Sequence, residues 1–102
     1  MRTLPIEAMP NQQLSINIDG NRWTVRLKIA VNSMFADIYL NDEPLILGQR
    51  IAVGTPVIPY DYLATAGNFI FVVEGDALPD WTQFGITQQM LYVSPGELAG
   101  RA

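Results

Sequence analysis

The sequence predicts an all-β fold, a small antiparallel β-sandwich or barrel of six to seven short strands. Stretches in which apolar and polar residues alternate recur along the chain, and clusters of Gly, Pro, Asn and Asp separate them at spacings of about 8–12 residues. No segment carries a convincing helical period. Because 49% of the 102 residues are apolar and only 16% are charged, we expect one folded domain with one core.

The clearest element is a β-hairpin within residues 12–31, where two alternating runs flank a Gly/Asn/Asp cluster. One side of the two runs holds Leu14, Ile16, Ile18, Trp23, Val25, Leu27 and Ile29. A type II′ turn centred on Gly20 and Asn21 would place Asp19 opposite Arg22. A type I′ turn centred on Asp19 and Gly20 would shift the pairing by two residues. Both turns keep the apolar residues on one face, which the core or a partner must cover.

Other strands are predicted on both sides of the hairpin. Residues 2–9 form a short first strand, which Pro5 restricts to a sheet edge or an exchanged arm. Residues 35–40 form a strand that the turn formers of residues 41–44 end. Residues 45–47 are too short to do more than cross the core. The sequence therefore predicts no further strand until residue 69.

The second half of the chain contains two more predicted strands. The continuous apolar run of residues 69–74 is typical of a central strand buried on both faces. A loop of aromatic and acidic residues, 75–85, separates it from the last strand, 88–94. We expect a single β domain over residues 1–94 and a flexible C-terminal tail over residues 95–102.

The residue types that most enzymes use are missing. The chain has no Cys and no His, which excludes disulfides, His/Cys zinc sites and His-dependent catalytic triads. Two carboxylate pairs remain, Asp42 with Glu43 and Asp76 with Asp80, and neither has the spacing of a calcium loop. We therefore predict no enzymatic activity, no cofactor and no metal site.

The charge distribution argues against nucleic acid as a partner. The net charge is −4, and residues 51–100 contain no Lys or Arg. Nucleic-acid binding would need a basic surface, so the acidic half is interpreted as a soluble surface or, less favoured, as a face for a basic neighbour.

No apolar run reaches the roughly 20 residues that span a membrane. Residues 1–5 lack the apolar stretch of a signal peptide, so we expect the bacterial or host cytosol as the place of synthesis.

Two groups of side chains are candidates for a protein interface. Trp81 and Phe84 lie in the Gly/Pro/Asp-rich loop, where large aromatics either anchor an interface or close one end of the core. Arg22, Arg26 and Lys28 lie on the polar face of the hairpin and form either a solvated face or a contact for an acidic neighbour. The apolar surface of the late strands exceeds what one small core needs. This excess favours self-association or a larger assembly.

Several short motifs, in their order along the chain, carry a family resemblance. They are Pro10-Asn11-Gln12, the Gly20 turn, Trp23, Pro44-Leu45-Ile46 followed by Gly48 and Gly54, Ala66-Gly67-Asn68-Phe69, and Leu91-Tyr92. With these motifs, from about residue 6 to residue 94, the chain resembles the phage baseplate plug family, small tail proteins of contractile-tailed phages. One departure is Phe35, where a tryptophan is expected.

The resemblance implies a non-enzymatic structural protein of the virion. It would be made in the host cytoplasm and assembled, as an oligomer, with hub, wedge and tube proteins near the end of the tail tube. No catalytic residues are carried over. The alternative is a small carbohydrate- or ligand-binding β module, in which Trp81, Tyr60 and Tyr62 would provide stacking platforms.

Overall fold

A computed structural model describes residues 2–30, 33–60, 63–75 and 77–95. These residues form seven strands and no α-helix, which confirms the predicted all-β fold. The strands are β1 (Arg2–Thr3), β2 (Gln12–Ile18), β3 (Asn21–Ala30), β4 (Ser33–Leu40), β5 (Glu43–Arg50), β6 (Asn68–Val73) and β7 (Gln88–Val93). Among the predicted segments, residues 96–102 of the tail lie outside the described residues.

The strands form two antiparallel sheets that pack as a sandwich. One sheet has the order β2-β3-β4-β5, so four consecutive strands form a meander. The other has the order β1-β7-β6 and joins the first strand to the last. The core lies between the two sheets and is built from the inward faces of both. Of the two predicted architectures, the sandwich is therefore the observed one.

The β2–β3 hairpin forms with the type I′ turn. Asp19 and Gly20 both have positive φ, 51° and 82°, and Ile18 pairs with Asn21. The type II′ alternative, which placed Asp19 opposite Arg22, is wrong, because Asn17 takes that position. Asp tolerates the left-handed conformation, and the I′ twist matches the twist of the paired strands. The predicted apolar face is unchanged by this shift.

The sequence pattern does not predict β5, the fourth strand of the meander. The turn after β4 is limited to Asn41 and Asp42, with φ of 52° and 70°, so the predicted turn over residues 41–44 is too long. Residues 45–47 belong to β5 and do not simply cross the core. Pro44 is tolerated because β5 is an edge strand. Gly48 has a φ of 64°, near a shift in the β4–β5 register.

The prediction for β6 is correct in burial and wrong in position. Phe69, Ile70 and Phe71 are buried on both faces, as expected. However, β6 is the last strand of its sheet and not a central one. Residues 54–58 cover its outer edge, where Gly54 N–H donates to the carbonyl of Phe71 and Val57 N–H to that of Phe69, both at 2.8 Å. This covering segment explains why an edge strand is so apolar.

Three aromatic rings connect the two sheets at the centre of the core. Trp23 of β3 meets Phe69 of β6 edge to face, with ring centroids 5.2 Å apart, and Tyr92 of β7 at 5.9 Å. The hydroxyl of Tyr92 donates a hydrogen bond to the carbonyl of Ala66 at 2.8 Å. Edge-to-face geometry favours such contacts beyond the burial of area. The sandwich is thus fixed internally by Trp23, Phe69 and Tyr92.

Candidate assembly surface

The aromatic loop before β7 contains one turn of 3-10 helix, Trp81–Gln83, at its centre. Asp80 caps this turn, because its Oδ1 accepts hydrogen bonds from Thr82 N–H at 3.0 Å and Thr82 Oγ1 at 2.7 Å. The Asp80 carboxylate therefore stabilises the start of the 3-10 turn, as aspartate commonly does at helix N-termini.

A buried glutamine fixes the same loop to the core. Gln88, the first residue of β7, is 1% exposed. Its Oε1 accepts from Asp80 N–H at 2.7 Å, and its Nε2 donates to the carbonyl of Leu78 at 2.9 Å. Sequence reasoning missed this residue. The available signal was a polar side chain on the strand face that Met90 and Tyr92 share.

The loop fixed in this way exposes apolar side chains. Leu78 is 68% exposed and Trp81 is 36% exposed. A groove of about 700 Å³ lies beside Trp81, with Pro10 and Ile29 in its wall. On the other side of Leu78 lies a second groove, of about 520 Å³, with Val53 in its wall. We call these residues together (Pro10, Ile29, Val53, Leu78 and Trp81) the Trp81 surface.

The other predicted aromatic residue, Phe84, lies in the core. It is 2% exposed, and its ring meets Phe71 edge to face with centroids 5.5 Å apart. Its position corresponds to the interpretation in which an aromatic closes one end of the core. Of the two loop aromatics, Trp81 is the one that the fold leaves at the surface.

The basic row Arg22, Arg26 and Lys28 lies on β3, facing away from the core. Arg22 Nη1 is 3.7 Å from Asp42 Oδ1, and Lys28 Nζ is 2.9 Å from Asp37 Oδ2. Arg26 donates from Nε and Nη2 to Gln13 Oε1 at 3.1 and 3.0 Å.

The electrostatics of the row depend on Asp37. The Lys28 ammonium and the Gly48 N–H both donate hydrogen bonds to this carboxylate, and the bond from Lys28 has the larger effect. Together they hold the pKa of Asp37 below the ordinary aspartate value, although burial alone would raise it. Asp37 therefore stays ionised and neutralises Lys28. Arg22 also lies near the Asp42 carboxylate, so the row offers less positive charge to a neighbour than three unpaired bases would.

The structure describes the second carboxylate pair and the stacking aromatics singled out in the sequence only in part. Within the described ranges, no three His, Cys, Asp or Glu side chains lie close enough to hold a metal ion. Asp76 and Tyr62 fall outside those ranges, so neither the carboxylate pair with Asp80 nor the full set of stacking aromatics is described. Tyr60 is exposed. In the part of the chain that the structure describes, no helix has the length and apolar character needed to cross a membrane.

The structure thus defines a small antiparallel β-sandwich whose hydrogen-bonded loop exposes apolar side chains, a feature common at contacts between proteins. The family model described as cyanophage baseplate Pam3 plug gp18 matches residues 1–96. The chain belongs to this family of phage baseplate plugs, which confirms the resemblance drawn from the sequence. No curated protein matches the chain.

Membership of this family gives the chain a structural role in a phage baseplate and a place in the virion tail. A baseplate plug is a structural class of protein and not a class of enzyme. The family also indicates assembly with other baseplate proteins, since a baseplate is built from several kinds of subunit.

Proposed function

We propose that this protein is a plug-type component of a contractile tail, packing against hub and wedge proteins at the end of the tail tube through the Trp81 surface. The observation that carries the proposal is the exposure of Leu78 and Trp81 on a loop that the buried Gln88 holds in place. We further infer synthesis in the host cytoplasm and an oligomeric state in the virion.

The rigidity of the loop supports an interface role for Trp81. Tryptophan is enriched among the residues that dominate binding energy, particularly beside concave surfaces. Ordering a flexible loop costs free energy on binding, and a loop already fixed in the free protein avoids most of that cost. The hydrogen bonds of Gln88 to Asp80 and Leu78 provide this fixation on the N-terminal side of the 3-10 turn.

The lining of the larger groove defines the chemistry of the partner. Its charged member is Asp80, whose carboxylate already accepts two hydrogen bonds from Thr82. Pro10, Ile29 and Leu78 contribute apolar wall. Gln83 and Thr87 add polar groups to the same wall. The matching surface on a hub or wedge protein therefore combines an aliphatic or aromatic side chain, which enters the groove beside Trp81, with hydrogen-bonding groups at its edge.

The basic row has a secondary role in this proposal. Arg22 and Lys28 form ion pairs within the chain, whereas Arg26 donates to the neutral amide of Gln13 and acts on the Asp37 carboxylate opposite it only at longer range. An acidic side chain of a neighbour would find its partner in Arg26. Such a charge at the rim of an interface affects association rate and salt dependence more than affinity.

Incorporation into purified particles tests the proposal. Particles that carry the wild-type chain, Trp81→Ala or Leu47→Ala are purified, and quantitative mass spectrometry measures the ratio of the chain to the hub protein. Leu47 is an exposed apolar residue of β5 away from both grooves, so it controls for the loss of apolar surface. We expect a fixed ratio for wild type and Leu47→Ala and a reduced ratio for Trp81→Ala. Equal incorporation of all three chains would contradict the role of Trp81.

A further inference from the structure

The two edges of the four-stranded sheet differ in how they are protected. The edge strand β5 contains Pro44 and the positive-φ Gly48, and it carries the charged residues Glu43 and Arg50 at its ends. These are the usual features that prevent a sheet edge from pairing with another strand. The opposite edge strand, β2, has the sequence Gln-Gln-Leu-Ser-Ile-Asn-Ile, which has no charge, no Pro and no Gly.

The hairpin register shows which backbone groups β2 leaves open. After a two-residue type I′ turn, Ile18 and Asn21 form the first hydrogen-bonded pair, and hydrogen-bonded pairs then alternate with non-bonded ones. The N–H and C=O groups of Gln13, Ser15 and Asn17 therefore point away from β3. All three residues are exposed. The edge thus presents three backbone donors and three acceptors in a row.

The inward side of β2 is also incompletely covered. Leu14 and Ile16 face the same side as the buried core but are only partly buried, in contrast to their β3 partners Val25 and Trp23, which are fully buried. An additional strand beside β2 would cover these two side chains. The open backbone groups and the partly covered apolar side chains are two independent features of one edge.

We propose that β2 pairs with β2 of a second copy of this chain, antiparallel, with a two-fold axis at Ser15. Outward-pointing residues must face outward-pointing residues in such a pair. One register satisfies all six open groups, namely Ser15 opposite Ser15, Gln13 opposite Asn17 and Asn17 opposite Gln13. The pairing joins the two four-stranded sheets into one sheet of eight strands. This inference stands independently of the Trp81 surface and of the partners proposed for it.

The sequence of β2 is complementary to itself in that register. Leu14 lies beside Ile16 of the second copy on the inner face, where each covers the exposed part of the other. Beyond the strand ends, Asp19 lies opposite the neutral Asn11, so no like charges meet across the axis. Because the β2 edge is uncharged and complementary to itself, we assign a second copy of this chain as its partner.

Sedimentation of the purified chain over a wide concentration range is the first test. Two seven-residue strands make a small interface, so we expect a monomer–dimer equilibrium with a dissociation constant in the micromolar to millimolar range. Ser15→Pro removes the central outward N–H without removing a bond to β3 and weakens the dimer at least about tenfold. Ser15→Ala keeps the N–H and leaves the dimer within about threefold of wild type. A chain that stays monomeric throughout, or a dimer unaffected by Ser15→Pro, overturns the proposal.

A charge-pairing experiment keeps the proposal testable if Ser15→Pro fails to fold. Ser15 lies opposite itself at the axis, so Ser15→Lys and Ser15→Glu each place like charges side by side and are each expected to weaken self-association. Mixing the two variants brings opposite charges together and restores a dimer, which contains one copy of each. Failure of the mixture to associate more strongly than either variant alone overturns the proposed axis.

Hydrogen–deuterium exchange locates the interface residue by residue. Outward amides of Gln13, Ser15 and Asn17 are expected to exchange rapidly in dilute solution and to become protected at concentrations where the dimer forms. The amides of Leu14 and Ile16 bond to β3 and are expected to be protected in both states. Concentration-dependent protection elsewhere, with the β2 edge unchanged, overturns the assignment.

Discussion

The ammonium of Lys28 lies 2.9 Å from the carboxylate of Asp37, a side chain that is only 8% exposed. The other carboxylate oxygen of Asp37 accepts the N–H of Gly48 at 2.6 Å. Lys28 is in β3, Asp37 in β4 and Gly48 in β5, so one carboxylate connects three neighbouring strands. From the sequence, Lys28 belongs either to a solvated face or to a contact for an acidic neighbour, and this ion pair gives it a structural role within the fold.

Replacement of Asp37 by Asn should reduce stability. The variant keeps a similar shape but loses the charge that both donors favour, and we expect the free energy of unfolding to fall by about 1–2 kcal/mol. Asp42→Asn is the matched control, because its pair with Arg22 is exposed and 3.7 Å long, and it should change stability by less than about 0.5 kcal/mol. Chemical denaturation measures both. Equal effects of the two substitutions would contradict the connecting role of Asp37.

The Asp37 site should also give stability a specific pH dependence. Its pKa is lower in the folded chain than in the unfolded one, so the unfolded state binds more protons in the window between the two values. The contribution of Asp37 is fully present above the unfolded pKa of about 3.9 and is lost as pH falls through the lower folded pKa. Denaturation curves at several pH values should show wild type and Asp37→Asn converging in acid. A difference that persists unchanged at the lowest pH would argue against this origin.

Gly67 should not tolerate a side chain. A Cβ at this position would overlap the ring of Tyr92, with Cε1 and Cζ each 2.6 Å away, and φ is 139°. We expect Gly67→Ala to reduce the free energy of unfolding by about 3 kcal/mol or more. Gly54→Ala is the control, because φ is 76° there but nothing lies within 4 Å of the added carbon, and it should cost about 1–2 kcal/mol. Similar melting temperatures for the two variants would contradict the close packing of Gly67 on Tyr92.

Alanine substitutions of the two loop aromatics should distinguish a residue needed for folding from a residue needed for assembly. Phe84→Ala removes a buried ring from its contact with Phe71 and should cost about 3–5 kcal/mol of stability. Trp81→Ala removes a ring that is 36% exposed and otherwise covered by its own chain, and it should cost about 1–2 kcal/mol, less than Phe84→Ala. Thermal unfolding followed by circular dichroism measures both changes. A loss of melting temperature for Trp81→Ala as large as that for Phe84→Ala would mean that Trp81 serves the core and not an interface.

The alternation of residues was sufficient to predict the hairpin and its faces, because a period of two assigns each side chain to one side of a strand. Alternation does not determine the turn type, because both turns keep the same faces. What decided between them was the ability of Asp19 to adopt a positive φ, a local preference that alternation does not report.

The strands at the sheet edges were harder to predict. Pro44 belongs to the turn formers that the sequence predicts after residue 40, yet an edge strand needs hydrogen bonds on one side only and tolerates both Pro44 and Gly48. The apolar run of β6 indicated a central strand, but the covering segment of residues 54–58 supplies the burial that a neighbouring strand would give. Tertiary contacts of this kind leave no local pattern in the sequence.

The candidate surface was only partly predictable for the same reason. Trp81 and Phe84 are three residues apart in one loop, and nothing in the sequence states which of them faces the core. The buried Gln88 determines the path of the loop through two hydrogen bonds, and those bonds depend on contacts formed only in the folded chain. Family membership, in contrast, could be recognised from the order of short motifs along most of the chain.

A site-specific photo-crosslinker at position 81 identifies what the Trp81 surface contacts in the assembled particle. Benzoyl-phenylalanine is placed at position 81, the chain is expressed during particle assembly, and the particles are irradiated and analysed by mass spectrometry, with the same substitution at position 47 as the control. We expect crosslinks from position 81 to a hub or wedge protein and none of comparable yield from position 47. Incorporated chains that give no crosslink from position 81 to any other baseplate protein would contradict the proposed role of this surface.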